Sequence, residues 1–347
     1  MTPQLIAQLA EGRELDPDAI TEAVAGLVDP AGDPARKAAF LTALARKGET
    51  SAEIAGFARA LRALSLPIPL DPETRSRDIL DVCGTGGDRL NTFNISTTVA
   101  LVCAAAGVTV AKHGNRAITS QSGSADVLEA LGIPVEVDPA TAAARLHDHG
   151  FAFLFAPRFH PAFQHIAPAR RLCAEKGQPT LFNFLGPLLN PARPTVQLVG
   201  VSRPELTEPM ARTLQQLGVR RAMVVSGEVP GPAHLDELST LGENVIAEFY
   251  QDRALSTSRW SPSLLPLVPA GLADLAGGDR FVNATLVERL LAGEERGARR
   301  DAVLLNAGAA LFVAGKAPTI ADGWELAAAT IDGGRATRKL ADLRAAR

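Results

Sequence analysis

The sequence predicts a helical N-terminal region followed by a larger α/β domain with a largely parallel central sheet. Three observations lead to this fold class. The first sixty or so residues carry helix signals and little else, and a stretch rich in proline and charge follows at 66–77. Beyond it, short apolar runs alternate with alanine- and leucine-rich helical stretches. Such alternation requires crossover connections, which join parallel strands.

Local signals mark the starts of helices in the N-terminal region. Asp16-Pro17 and Asp33-Pro34 each combine a side-chain oxygen that can cap free amides with a proline at the first helical position. Thr50-x-x-Glu53 has the form of a capping box, and an apolar stripe follows it at 54–61. These three places are therefore predicted helix starts.

Seven apolar runs of strand type follow the proline-rich stretch. They occupy residues 79–83, 108–111, 133–137, 151–155, 196–201, 223–226 and 245–249. Residues 256–273 are expected to form a loop, and the chain is expected to be helical again from about residue 301. In open α/β sheets ligands bind beyond the carboxyl ends of the strands, so the residues after the first two runs are the first candidates for a site.

Composition narrows the function. The chain has 347 residues, of which 46% are hydrophobic and 21% charged, enough apolar material for a core. A net charge of -3 argues against a protein that coats nucleic acid. Three cysteines without C-x-x-C spacing fit a reducing compartment. No signal peptide is visible and the longest apolar run, 99–111, is short for a membrane span, so we expect a cytoplasmic protein with no membrane or nucleic-acid partner.

The first candidate site is a glycine-rich loop after the first strand. Gly-Thr-Gly-Gly-Asp at 84–88 leads to Asn-Ile-Ser-Thr at 94–97, which opens an apolar helix. Glycines let backbone amides approach an anion, and a helix start supplies free N–H groups, so the pattern predicts a phosphate cradle. A tight turn with an ordinary helix cap is the alternative. The loop matches neither the ATPase P-loop nor the dinucleotide-binding glycine pattern.

Two further segments could face the same anion. Lys-His-Gly-Asn-Arg at 112–116 follows the second strand, and a second hydroxyl- and glycine-rich helix entry begins at 120–124. Asp236-Glu237 is a candidate Mg²⁺ pair, although adjacent acidic residues also occur by chance. Arg170 could bind a carboxylate bidentately, or could be an ordinary surface arginine. The histidines show no metal-ligand spacing.

In this order, the segments resemble the anthranilate phosphoribosyltransferases, a family with the nucleoside-phosphorylase-like (class III) phosphoribosyltransferase fold. The matching segments are 84–88, 94–97, 112–116, 122–132, 182–191 and 236–239. The resemblance implies a helical domain at 1–70, which part of 162–176 rejoins, and an α/β catalytic domain at 77–347. It further implies a cleft between the two and a homodimer formed through the helical domain.

The resemblance also implies a reaction and a set of contacts. The phosphoribosyl group of 5-phosphoribosyl 1-diphosphate passes to the amine of anthranilate with Mg²⁺, the second step from chorismate to tryptophan. The predicted diphosphate-substrate contacts are Gly84, Gly87, Asp88, Thr92, Asn94, Ile95, Ser96, Thr97, Lys112, His113, Gly114, Asn115, Arg116, Ala117, Ile118, Thr119, Ser120 and Ser124. The predicted anthranilate contacts are Gly84, Asn115 and Arg170, and the predicted Mg²⁺ ligands are Ser96, Asp236 and Glu237.

The chemistry implied by the resemblance needs no general base. An aromatic amine carries no proton that must leave before attack, so positioning and the electrostatic effect of Lys112 should dominate. His113 and the 157–162 loop are expected to line the path of the aromatic ring. The chain departs from the family pattern at 172–179, where about three residues are inserted and Pro179 replaces a usual basic residue.

The sequence argues against two other functions. A pyrimidine-nucleoside phosphorylase calls for a K-x-S-x-G-G-x-G-D-type loop, which the sequence lacks. A non-catalytic nucleic-acid-binding homologue calls for a basic groove and loss of the substrate arginine or the acidic pair. The chain instead has a net charge of -3 and keeps Arg170, Asp236 and Glu237.

Overall fold

The computed structural model describes residues 2–117 and 121–346. Its helices are α1 (Pro3–Ala10), α2 (Pro17–Val28), α3 (Pro34–Lys47), α4 (Ser51–Ala63), α5 (Pro72–Ser76), α6 (Ile95–Ala105), α7 (Ser124–Ala130), α8 (Pro139–His149), α9 (Ala156–Phe159), α10 (Ala167–Glu175), α11 (Thr207–Gln216), α12 (Arg280–Leu291), α13 (Ala298–Val313), α14 (Ile320–Asp332) and α15 (Arg335–Ala345). Its strands are β1 (Ile79–Gly84), β2 (Thr109–Gly114), β3 (Phe151–Phe155), β4 (Val196–Gly200), β5 (Arg221–Glu228), β6 (His234–Leu235), β7 (Asn244–Tyr250) and β8 (Ser256–Trp260).

The predicted helix starts in the N-terminal region are confirmed. Asp16 and Asp33 accept hydrogen bonds from amides in the first turns of α2 and α3, each with a proline at the first position. Thr50 and Glu53 form both halves of a capping box at the start of α4. Local side-chain chemistry therefore fixes where these helices begin.

The helical region is completed by α10, which lies more than 100 residues further along the chain. Ala169 and Cys173 of α10 belong to the same apolar core as Phe40 and Leu44 of α3. The buried Lys37 donates from Nζ to the backbone oxygen of His165, 2.9 Å away, just before α10. The position of α10 is therefore set by the helical region on which it packs.

The central sheet has the strand order β3-β2-β1-β4-β5-β7-β8, and β6 pairs with β5. Pairing is parallel from β3 to β5 and antiparallel for β6, β7 and β8. The predicted fold class, a small helical domain with a larger and largely parallel α/β domain, is confirmed. Among the described residues, none of the helices has the length and apolar character needed to cross a bilayer.

Two predicted segments differ from the structure. Residues 133–137 form no strand, although Ile133, Val135 and Val137 are buried. Their alternating burial comes from packing of the connection between α7 and α8 on the core, without a neighbouring strand edge. Residues 256–260, expected to lie in a loop, form the edge strand β8, which is polar and mostly exposed and so carries no apolar pattern.

Small residues allow the helices behind the sheet to pack closely. A Cβ on Gly308 of α13 would lie 2.7 Å from the backbone nitrogen of Trp324 in α14. Helix α13 is buried along nearly its whole length and packs against α6, the helix that follows the glycine-rich loop. This layer supports the carboxyl ends of β1 and β2 from one side.

Candidate active site

The carboxyl ends of β1 and β4 form the floor of the candidate site. Gly84, the last residue of β1, pairs with Gly200, the last residue of β4. Asp236 and Glu237 follow β6 and cross over these two strand ends. A Cβ on Gly84 would overlap the Asp236 carboxylate, and one on Gly200 would overlap the Asp236 backbone oxygen. Glycine at both strand ends therefore allows the acidic pair to lie directly against the sheet.

The glycine-rich loop takes an unusual backbone conformation. Gly86 and Gly87 have φ angles of 74° and 87°, and the non-glycine residues Arg89 and Asn91 have φ angles of 59° and 53°. The amide of Gly86 donates to Oδ2 of Asp236 at 2.7 Å. Such positive φ angles are costly outside glycine and concentrate at functional sites. The loop is thus held in a defined, strained shape beside the acidic pair.

Asp236 and Glu237 have the properties of a cation site. Oε1 of Glu237 accepts from the amide of Ser96 at 3.1 Å, at the start of α6. Removal from water raises the pKa of both carboxyls, and the neighbouring charges of Asp88 on Asp236 and of Asp236 on Glu237 raise each further. Crowded carboxylates and the Ser96 hydroxyl are hard oxygen donors of the kind Mg²⁺ prefers, so these residues fit the ion.

Lys112 lies beneath the same loop. Its side chain is only 2% exposed, and Nζ donates to the backbone oxygen of Val82 at 2.6 Å and to Oγ of Ser96 at 3.2 Å. The sequence predicts that Lys112 follows the second strand, but β2 extends to Gly114, so Lys112 and His113 lie within it. The register of the parallel pair β2–β3 accounts for the longer strand. A fixed positive charge therefore lies behind the start of α6.

The two predicted helix starts, those of α6 and α7, lie next to each other. Nδ2 of Asn94, at the end of the glycine-rich loop, donates to the backbone oxygen of Ser122 at 3.3 Å. Ser124 donates from Oγ to the backbone oxygen of Asn115 at 3.2 Å. Segments 84–97 and 112–124 therefore border a single space, within the ranges that the structure describes. The predicted contacts Ile118, Thr119 and Ser120 lie outside the described residues.

Several predicted contacts can reach that space only through their backbone. Ile95 and Thr97 are 1% exposed and point into the core. The guanidinium of Arg116 is held by Glu129 at 2.6 and 2.8 Å and lies 5.4 Å from the ring centroid of Phe155. The pKa of Arg116 is raised, first by the hydrogen bonds to Glu129. The arginine side chain thus stabilises the second loop, and its charge is already neutralised.

On the other side of the site, a row of aromatic side chains leads to Arg170. The His113 and His160 rings are 5.1 Å apart between centroids, and His160 and Phe163 are also 5.1 Å apart. Phe163 packs edge-on against Phe182 at 5.8 Å, and the Arg170 guanidinium lies 5.3 Å from the Phe182 ring centroid. This row of mutually tilted rings joins the end of β2 to α10 and forms an aromatic wall.

Arg170 and the two histidines differ in charge. Within the part of the chain that the structure describes, no carboxylate pairs with Arg170, and burial lowers its pKa without removing its charge. Burial lowers the pKa of His113 to about 3 and that of His160 to about 4, so both rings are neutral near pH 7. An unpaired guanidinium beside neutral rings suits an aromatic carboxylate.

Comparison with known proteins identifies the family. Residues 76–337 match the model of the glycosyl transferase family α/β domain, and residues 3–65 match its helical bundle domain. Anthranilate phosphoribosyltransferase from Roseiflexus castenholzii is 45% identical over 335 residues, which cover 96% of this chain and 95% of the relative. The chain belongs to the anthranilate phosphoribosyltransferase family.

Solved structures of this family agree with the fold. The crystal structure of the Thermus thermophilus anthranilate phosphoribosyltransferase is 42% identical, with a TM-score of 0.89, over 99% of this chain and 98% of that one. The Saccharomyces cerevisiae enzyme in complex with PRPP (5-phosphoribosyl 1-diphosphate) and Mg is 28% identical, with a TM-score of 0.86, over 99% and 96% of the two chains. The yeast enzyme has also been solved in complex with 4-fluoroanthranilate.

Sequence reasoning missed buried polar groups that support the site in this member of the anthranilate phosphoribosyltransferase family. Asp81, fully buried in β1, accepts from Nδ2 of Asn190 at 2.8 Å and from the amide of His113 at 3.3 Å. Asn306 of α13 makes two 2.9 Å hydrogen bonds with the backbone of Leu238, directly after the acidic pair. A lone asparagine in the apolar stretch 302–313 is the signal that could have singled out Asn306.

Proposed function

We propose that the protein transfers the phosphoribosyl group of 5-phosphoribosyl 1-diphosphate to the amine of anthranilate. The products are N-(5-phosphoribosyl)anthranilate and pyrophosphate, and the reaction is the second step from chorismate to tryptophan. The observation that carries the proposal is the polarity of the site. An acidic pair, a buried lysine and a glycine-rich loop occupy one side. An arginine that has no carboxylate partner among the described residues occupies the other, with the aromatic wall.

The diphosphate is assigned to the space between segments 84–97 and 112–124. Backbone amides of the glycine-rich loop and of the start of α6, other than those of Gly86 and Ser96, which donate to the acidic pair, can donate to its oxygens. Lys112 supplies a fixed positive charge behind them. Ser96, Asp236 and Glu237 are the proposed Mg²⁺ ligands. When bound, Mg²⁺ neutralises negative charge on the diphosphate leaving group.

The anthranilate ring is assigned to the aromatic wall. Arg170 binds its carboxylate, while Gly84 and Asn115 border the end where the amine meets the sugar. Because His113 and His160 are neutral, they add ring surface without attracting the diphosphate. The protein's contribution is thus to align the amine with the sugar carbon and to stabilise the charge that builds on the leaving group.

The test is a fluorescence assay of anthranilate consumption with 5-phosphoribosyl 1-diphosphate and Mg²⁺. We expect turnover that depends on all three components. Replacing the acidic pair, Asp236→Asn with Glu237→Gln, should abolish the Mg²⁺-dependent rate, whereas Glu294→Gln with Glu295→Gln, at an acidic pair outside the cleft, should not. Absence of turnover in the wild-type protein would contradict the proposed function.

We also propose that the protein is a cytoplasmic homodimer that associates through its helical domain, residues 1–70 with part of 162–176. An open groove of about 1000 Å³ runs between α1, α3 and α10 and is bordered by Ile6, Ala39 and Leu172. Sedimentation equilibrium should give a dimer, and Ala39→Glu should shift it to monomer. A monomeric wild-type protein, or a dimer that Ala39→Glu leaves intact, would contradict this interface. Cell fractionation tests the location.

A further inference from the structure

A segment far along the chain closes over the glycine-rich loop. The amide of Phe93 donates to the backbone oxygen of Leu275 at 3.0 Å, and the amide of Gly277 donates to the backbone oxygen of Asn91 at 3.0 Å. Between these bonds, Thr92 and Ala276 form an antiparallel bridge. We call residues 275–283 the clasp. The clasp pairs with the loop as a short ribbon and so limits the conformations available to it.

The clasp approaches the loop too closely for any residue with a side chain at its centre. A Cβ on Gly277 would lie 2.8 Å from Cα of Phe93 and 2.9 Å from Oδ1 of Asn283. Both are well inside van der Waals contact. The backbone of the loop, the backbone of the clasp and the side chain of Asn283 therefore form one packed unit.

Asn283 links this unit to both halves of the site. It lies in the first turn of α12 and is 2% exposed. Its Oδ1 accepts from the amide of Gly278 at 2.8 Å, and its Nδ2 donates to Oδ1 of Asn94 at 2.8 Å. Asn94 in turn donates from Nδ2 to the backbone oxygen of Ser122 at 3.3 Å. A continuous chain of hydrogen bonds thus runs from α12 through the first loop to the second.

The hydrogen bond from Asn283 selects the orientation of the Asn94 carboxamide. Asn94 stands at the cap position of α6, yet its side chain does not cap the helix. Without the donor from Asn283, the carboxamide could turn over and present its oxygen to the oxygen of Ser122, which is repulsive. Loss of Asn283 would also leave a partly buried acceptor on Asn94 without a partner. Asn283 is thus a nearly fully buried residue whose side chain is engaged by the clasp and by Asn94.

We propose that Asn283 is a positioning residue for the binding of 5-phosphoribosyl 1-diphosphate, acting through Asn94 to hold segments 84–97 and 121–124 at the spacing that the ligand needs. The inference rests on the proposed function, because it assigns the diphosphate to the space between those segments. Anthranilate is assigned to the wall leading to Arg170, which the clasp does not border. The effect of Asn283 should therefore be specific to one substrate.

Two substitutions separate the two hydrogen bonds of Asn283. Asn283→Asp has the same shape and keeps an acceptor for the Gly278 amide, but it cannot donate to Asn94. Asn283→Ala removes both bonds. We expect Asn283→Ala to raise the KM and the Kd for 5-phosphoribosyl 1-diphosphate about tenfold, the loss typical of one buried hydrogen bond, and to change the KM for anthranilate by less than about twofold. Asn283→Asp should raise the same two constants at least as much.

A matched control and a double variant exclude a merely structural effect. Thr330→Val removes the two hydrogen bonds of a buried hydroxyl in α14, one donated to the Leu326 backbone oxygen and one accepted from Arg335, and should lower Tm without changing either KM. Asn94→Ala combined with Asn283→Ala should bind 5-phosphoribosyl 1-diphosphate no more weakly than Asn94→Ala alone, because Asn283 acts through Asn94. Multiplicative effects in the double variant, or equal rises of both KM values in Asn283→Ala, would overturn the inference.

Calorimetric titration with 5-phosphoribosyl 1-diphosphate and Mg²⁺ distinguishes failure of this inference from failure of the proposed function. A wild-type protein that turns over, with Asn283→Ala binding the ligand unchanged, overturns the inference alone. A wild-type protein that binds the ligand but consumes no anthranilate, with binding weakened in Asn283→Ala, overturns the proposed reaction and supports the positioning role. A wild-type protein that does not bind the ligand overturns both.

Discussion

At the scale of single residues, charge separates the two sides of the cleft. Lys112 and the acidic pair Asp236-Glu237 lie around the start of α6, whereas Arg170 lies on α10 without a carboxylate partner in the described chain. The two sides of the cleft therefore present different charged groups and suit different substrates. Substitutions on one side should affect one substrate and leave the other nearly unchanged.

Arg170→Ala tests the assignment of the anthranilate side. Removing charge-assisted hydrogen bonds to a carboxylate costs about 1.5–3 kcal/mol, which corresponds to a rise of about tenfold to about hundredfold in the KM for anthranilate. The KM for 5-phosphoribosyl 1-diphosphate should stay within about twofold. Steady-state kinetics measures both, with Arg171→Ala, at an exposed neighbour, as the matched control. Equal effects on both substrates would remove this role from Arg170.

The two buried histidines predict a pH dependence of stability. Burial lowers the pKa of His113 to about 3 and of His160 to about 4, below the ordinary value of 6.5. The unfolded chain therefore binds protons at a higher pH than the folded protein does. Their contribution to stability is complete above about pH 6.5 and decreases as the pH falls towards those lowered values.

Thermal unfolding between about pH 7.5 and about pH 4.5 measures this dependence. Replacing both histidines, His113→Asn with His160→Asn, should flatten the fall in Tm on acidification relative to wild type. His147→Asn with His149→Asn, at one exposed and one half-buried position, serves as the control and should leave the contribution of His113 and His160 to the pH dependence intact. A double variant at the buried positions whose Tm falls as steeply as that of wild type would contradict the assignment.

Individual residues of the site differ in how well the sequence predicts them. Lys112 and the glycines of the first loop can be predicted because they lie beside a predicted strand end, where residue type alone suggests chemistry. Asp236 lies beside none of the predicted strands, and the acidic pair gains weight only from its context and from the family resemblance. The role of Asn283 cannot be predicted from the sequence, because its partner Asn94 is 189 positions away and neither residue type nor spacing signals the contact. Arg116 is a predicted diphosphate contact, but the sequence does not reveal that Glu129 lies within reach of its side chain.

At the scale of elements, the site depends on how closely β6 and the residues after it approach β1. Gly84 has no room for a Cβ, since one would overlap the Asp236 carboxylate. The strand end and the acidic pair are therefore packed as one unit. A substitution at Gly84 therefore acts on the proposed Mg²⁺ site without altering any of the three proposed metal-ligating residues.

Gly84→Ala should displace Asp236 and lower the Mg²⁺-dependent rate by at least about tenfold while raising the Mg²⁺ concentration needed for half-maximal activity. The control is Gly271→Ala, where a Cβ would have its nearest contact at 4.0 Å. Titration of activity with Mg²⁺ makes the comparison. An unchanged Mg²⁺ response in Gly84→Ala would show that the approach of Asp236 to β1 is unimportant for metal binding.

Element prediction succeeded where local chemistry decides and failed where tertiary contacts decide. The starts of α2, α3 and α4 follow from their own caps. Residues 133–137 are extended and buried without pairing, and β8 is polar and exists because β7 offers it an edge. The local sequence alone therefore does not predict that residues 133–137 are unpaired or that residues 256–260 form a strand.

At the scale of the whole molecule, the helical region contributes to the site through α10. Helix α10 carries Arg170 and packs on α3, and its buried residues share one apolar core with Phe40, Leu44 and Phe57. The anthranilate side is therefore supported by residues from the N-terminal region. The sequence alone suggested this return of the chain only through the family resemblance.

Leu44→Ala tests whether destabilising the helical region weakens the binding of anthranilate in particular. Leu44 is fully buried, so the substitution should cost about 2–5 kcal/mol of stability locally. We expect a lower Tm and a larger rise in the KM for anthranilate than in that for 5-phosphoribosyl 1-diphosphate. Leu340→Ala, in the core of the α/β domain, is the control: it should lower stability without raising the KM for anthranilate more than the KM for 5-phosphoribosyl 1-diphosphate. Equal KM changes in the two variants would contradict the coupling.

The proposed function requires a polyanion to be held between two loops that are joined through Asn94 and backed by Lys112. A crystal structure with 5-phosphoribosyl 1-diphosphate and Mg²⁺ tests it most directly. We predict that the diphosphate contacts both segment 84–97 and segment 112–124, with the metal ion at Asp236 and Glu237. A diphosphate bound to one of the segments alone, or outside the cleft, would contradict the account.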